Sequence, residues 1–119
     1  MSELFKLVKE EFSEKYNEQW WIYFIQFKFA FNNLTINEIT ITDHTWKKKG
    51  REKITKELIL AILKDKINGE RKEPRKKHSK RDIFVEERIN YQDKKYRLVF
   101  WFKDGTNNHL WIRNCHRMD

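Results

Sequence analysis

Two histidines stand beside cationic runs: His44 in TDHTWKKKGR, and His116 in the closing stretch IRNCHR, flanked by Arg113 and Arg117. An imidazole accepts a proton at one nitrogen and donates one from the other, and a cationic neighbourhood favours the neutral form that a general base requires. Guanidinium groups nearby would stabilise negative charge growing on a phosphate. His44, His116, Arg113 and Arg117 therefore form a candidate catalytic set for phosphodiester cleavage. One histidine would take the proton of a 2'-hydroxyl as it attacks the adjacent phosphate, and the other would protonate the leaving oxygen. Asn114 could position the phosphate or a base.

A second constellation comes from alternation. In KYRLVFWFK one parity holds Tyr96, Leu98, Phe100 and Phe102, and the other holds Arg97, Val99, Trp101 and Lys103. In HLWIRNC and the residues after it, Leu110, Ile112, Asn114 and His116 share one parity and Trp111, Arg113, Cys115 and Arg117 the other. With the more apolar set turned inward, the outer face would present Arg97, Trp101, Trp111 and Arg113 together. Cations interleaved with aromatics on a sheet can stack unpaired bases while holding their phosphates.

Other chemistries lack their residues. There is no HExxH or similar spacing among His44, His78, His109 and His116, no carboxylate cluster for a two-metal centre, no glycine-rich phosphate loop and no GxSxG turn. Catalysis on nucleic acid is thus expected to need neither metal nor cofactor. Cys115 is the single cysteine, so an intrachain disulfide is impossible, and its place on an alternating strand suits packing.

The elements that must carry these residues read as follows. Leu4, Leu7, Val8 and Phe12 recur at spacings of three and four behind Ser2, which predicts a helix over about 3–16. The aromatic run 20–31 alternates as one long strand, and Asn32–Asn33 turns it into a hairpin with 34–41. A short basic helix follows, capped by Thr42 or Asp43 and ended by Gly50. Thr55 caps a second helix striped by Leu58, Ile59, Ile62, Leu63 and Ile67 and closed by Gly69. The segment 71–81, RKEPRKKHSKR, holds seven Lys or Arg against one Glu and the only proline, and reads as a basic loop. IFVEERI, KYRLVFWFK and HLWIRNC then form an antiparallel meander. The expected fold is α+β, one domain over 1–119, with helices packed on a twisted antiparallel sheet of about five strands.

The chain has 119 residues with a formal charge of +8, enough length for one core and enough positive charge to meet phosphates or an anionic surface. No apolar run is long enough to span a membrane, and the N-terminus lacks the pattern of a secretory signal, so a cytoplasmic location is the expectation.

The order of a histidine in a basic helix (TDHTWKKKGREKIT), an amphipathic helix (KELILAILKDKING) and a meander ending in HLWIRNCHR resembles small RNase toxins of the barnase, colicin and RelE-like fold, in particular the BrnT-like proteins, over about residues 39–117. The resemblance implies metal-independent RNA cleavage on an exposed sheet face. It places His44 as the helix histidine, Lys48, Lys49 or Arg51 as the basic residues after it, and Asn114, His116 and Arg117 at the end of the last strand. Asn and His stand there where Ser or Thr and Tyr are usual. Residues 1–38 would be an added helix and hairpin. It also implies an antitoxin or immunity protein as partner. The leading expectation is a toxin-like endoribonuclease leaving cyclic 2',3'-phosphate and 5'-hydroxyl ends. The alternative is a noncatalytic single-stranded RNA or DNA-binding module using Arg97, Trp101, Trp111 and Arg113, and an adaptor for an acidic protein would use the same charge.

Overall fold

In the computed structural model, residues 4–47, 54–78 and 81–118 are described. Strands dominate them: β1 (Phe5–Ser13), β2 (Glu18–Ile25), β3 (Ala30–Phe31), β4 (Leu34–Thr35), β5 (Glu38–Thr42), β6 (Lys76–His78), β7 (Arg81–Tyr91), β8 (Lys94–Phe102) and β9 (His109–Arg117). The helices are α1 (His44–Lys47) and α2 (Lys56–Ile62), the latter running on into a π-helical turn over Leu63–Ile67.

Seven strands form one sheet in the order β1-β2-β5-β9-β8-β7-β6, with β3 and β4 as a separate small hairpin. The sheet is mixed, because β5 and β9 run parallel while their neighbours are antiparallel. The expectation of helices packed on an antiparallel sheet of about five strands is therefore corrected. Among the described residues there are two short helices, of which α2 with its π-helical turn packs on a larger, mixed sheet.

The largest local departure is at the start, where 5–13 is strand rather than helix. Leu4, Leu7, Val8 and Phe12 fit a helical stripe, but β2 supplies eight residues of chain with an edge to be paired, and the backbone joins it from Phe5↔Ile25 to Ser13↔Glu18. Backbone pairing has overridden local spacing. The strand carries a bulge between Leu7 and Lys9, and its apolar side chains stay exposed, with Leu4, Leu7 and Val8 each at 41% and Phe12 at 54%. The expected long strand over 20–31 also stops at Ile25. Within the basic segment 71–81, Lys76–His78 pairs with β7.

Other local expectations hold. Asn32 (φ 53°) and Asn33 (φ 63°) make the two-residue turn between β3 and β4, and Gln92 (φ 50°) with Asp93 (φ 66°) turns β7 into β8. Thr55 caps α2, its Oγ1 accepting the Leu58 N–H at 3.1 Å, a contact worth about 1 kcal/mol. Ile59, Ile62, Leu63 and Ile67 are fully buried beneath it, against Ile39, Ile41, Leu98, Phe100, Leu110 and Ile112 of the sheet. Each such side chain contributes roughly 1.5–3 kcal/mol. All of this core lies on one face, so the opposite face is free of α2 and its π-helical turn, and α1, which follows β5, reaches its margin through His44.

Candidate functional site

The face opposite α2 is built from the second parity of the central strands. β2 contributes Glu18, Trp20 and Ile22, β5 contributes Thr40, β9 contributes Trp111 and Arg113, and β8 contributes Trp101. With Glu11, Tyr16, His44, Arg81, Lys103 and Asp104 they line a groove of about 640 Å³. Its floor is aromatic. The Trp20 and Trp111 rings meet edge to face with centroids 4.9 Å apart, and the Arg81 guanidinium lies 4.4 Å above the Trp101 ring.

The groove's charges are paired in a definite order. Arg81 grips Asp104 with two hydrogen bonds, Nε to Oδ1 at 3.1 Å and Nη2 to Oδ2 at 2.7 Å, which hold the Asp104 carboxyl below the usual carboxylate range. Glu18 is buried at the other end. Its Oε2 accepts from Arg113 Nη1 at 2.7 Å and lies 3.8 Å from His44 Nδ1, while its Oε1 accepts from Trp20 Nε1 at 3.1 Å. One carboxylate thus joins the tryptophan floor, the His44 imidazole and the Arg113 guanidinium.

Two residues before Trp111 on β9 stands a second, buried imidazole. His109 pairs with Glu38 across β5 and β9, its Nε2 is 2.6 Å from Thr40 Oγ1, and its Nδ1 is 3.3 Å from Glu38 Oε2. Burial first, and the Lys103 charge second, push its pKa down to about 4. Glu38 pulls the other way, but its half-exposed carboxylate is screened, so burial decides. A neutral ring with its proton on Nδ1, the side of the Glu38 carboxylate, would accept the Thr40 hydroxyl at Nε2.

The expected site residues divide into two groups. His44, Trp101, Trp111 and Arg113 come together in the groove. Arg97, Asn114 and His116 share the face opposite α2 but lie further along β8 and β9, outside the groove lining, with His116 opposite Arg97 and Asn114 opposite Val99. Arg117 is exposed at the strand end opposite Tyr96. Lys48, Lys49 and Arg51 lie outside the described residues.

The expected parity of the last strand is corrected at Arg113. Phe100 pairs with Ile112 and Val99 with Asn114, so Arg113 is the extra residue of a bulge. After it the faces exchange. Cys115 enters the core, fully buried, while Asn114 and His116 turn to the face of Trp101 and Trp111. Glu18, Trp20 and Arg81 were not anticipated. The signal for Trp20 was available, since Trp20 and Ile22 give the second parity of QWWIYF an apolar face of its own.

Among the described residues no three His, Cys, Asp or Glu side chains converge as a metal-binding set, and no helix is long and apolar enough to cross a membrane. No protein-family model, curated protein or solved structure matches the chain.

Proposed function

We propose that the face opposite α2 binds single-stranded nucleic acid, with RNA as the leading ligand. The observation that carries this reading is the groove in which Trp20, Trp101 and Trp111 are interleaved with Arg81, Lys103 and Arg113. Half-exposed indoles offer bases a stacking surface, and stacking is tolerant of sequence. The three cations supply phosphate contacts, while Glu11 and the exposed Asp104 at the same rim can accept from exocyclic amines of bases. The net charge of +8 adds attraction at a distance. A cytoplasmic setting suits a chain whose one thiol is buried and reduced.

Titration of labelled single-stranded RNA with the protein at low and high salt, read by fluorescence anisotropy, tests the reading. Saturable binding that weakens with salt and is lost on Trp101→Ala supports it. RNA that shows no anisotropy change at any protein concentration sinks it.

A second reading, metal-independent RNA cleavage, is favoured by the position of Glu18 beside both His44 and Arg113. A carboxylate within reach of an imidazole provides an acid–base couple, and Arg113 can stabilise charge on the phosphate. In this reading Glu18 takes the partner role that the sequence suggested for His116. The setting would then be a toxin held in check by a protein that covers the groove. Chelator-resistant appearance of cyclic-phosphate ends tests it.

A further inference from the structure

We infer that β1 is a self-association edge, along which a second copy of this chain adds antiparallel to give a two-fold dimer. β1 ends the sheet, so one side of a nine-residue strand has no backbone partner among the described residues. The large apolar side chains exposed on the described chain gather here. Leu4, Leu7, Val8 and Phe12 lie on or beside β1, Tyr16 in the turn after it and Phe24 on β2, with Met118 the exception.

The strand's own charges choose the partner. A two-fold antiparallel pair centred between Val8 and Lys9 sets Phe5 against Phe12, Lys6 against Glu11 and Leu7 against Glu10 of the second copy, each twice. Directly opposed residues must point to the same face. In a regular strand these pairs would not, because their numbers differ by odd steps. The bulge between Leu7 and Lys9 restores the match. Lys6 and Glu11 oppose Phe24 and Trp20 on the face away from α2, while Phe5, Leu7, Glu10 and Phe12 oppose Ile25, Tyr23, Trp21 and Gln19 on the other. Moving the axis one residue towards the N-terminus would set Lys6 against Lys9, like against like.

Within one chain Lys9 Nζ already lies 3.4 Å from Glu11 Oε1, so Lys6 of the second copy would join that carboxylate from its outer side. Two sheets joined this way would bring the two grooves to one continuous surface, since Glu11 stands on the groove rim.

Sedimentation velocity across a concentration series is the test. The wild-type chain is expected to sediment at twice its 14.9 kDa mass at high concentration. Lys6→Glu alone and Glu11→Lys alone should each leave monomer, because each sets like charges opposite one another. The double variant, or an equimolar mixture of the two single variants, should recover the dimer, because both arrangements restore opposite charges at every Lys6 and Glu11 position. A wild-type chain that stays monomeric to roughly millimolar concentration overturns the inference. So does a dimer whose mass neither single substitution changes.

Discussion

Arg113 donates to Glu18 at 2.7 Å, across 95 residues of sequence and two intervening strand boundaries. The bond closes the groove at one end and fixes the guanidinium beside His44. It also ties the bulge of β9 to the start of β2.

Glu18→Gln should therefore have two effects of opposite sign. Removing the charge of a nearly buried carboxylate leaves Arg113 without its counter-ion, and with Arg113 one-third exposed the cost should be about 2 to 3 kcal/mol, read by urea denaturation. The released guanidinium becomes available to phosphate. Affinity for single-stranded RNA, measured well below the unfolding midpoint, should rise rather than fall. Parallel losses of stability and affinity would contradict the proposed placement of phosphate at Arg113.

The tryptophans should differ in what their removal costs. Trp101 carries Arg81 on its ring and is partly exposed, so Trp101→Ala should weaken RNA binding roughly ten- to hundredfold with little change in stability. Trp111 packs edge to face on Trp20 and stands opposite Thr40, so Trp111→Ala should lower both. Anisotropy titration beside thermal unfolding separates the two outcomes.

His109 makes stability depend on pH in a defined window. Its folded-state pKa of about 4 lies below the ordinary 6.5, so between these values the unfolded chain binds a proton that the folded chain does not. The stability this residue confers is fully present above 6.5 and is lost as pH falls towards 4, up to about 3 kcal/mol, with no further loss from this group below that. His109→Gln, which cannot titrate, should flatten the denaturation midpoint across this window. An unchanged slope would show that the imidazole is not held neutral.

The meander and its turns were legible because period-two alternation and paired positive-φ residues such as Gln92 and Asp93 are local signals. Thr55 and the apolar stripe after it marked α2 for the same reason. Phe5–Ser13 was not legible, since Leu4, Leu7, Val8 and Phe12 satisfy helical spacing and only the edge of β2 decides the matter. Nor was the bulge at Arg113, where no glycine or proline marks the extra residue. That one position reverses the faces of Asn114, Cys115 and His116. Glu18 belongs to the groove through contacts with residues far along the chain, which composition and spacing do not carry.

The two histidines first singled out should separate on mutation. His44 lines the groove with Arg113 and stands 3.8 Å from Glu18, whereas His116 lies opposite Arg97 and outside the groove lining. If purified protein cleaves RNA in excess chelator, His44→Ala should lower the rate by roughly a hundredfold or more, as expected for loss of a positioned acid or base. His116→Ala should leave most of the rate. The same two variants should bind RNA with similar affinity, since neither removes a stacking surface. Equal loss of cleavage in both would move the acid–base pair away from Glu18 and back to the two imidazoles, and it would require the last strand to bring His116 into the groove when RNA binds.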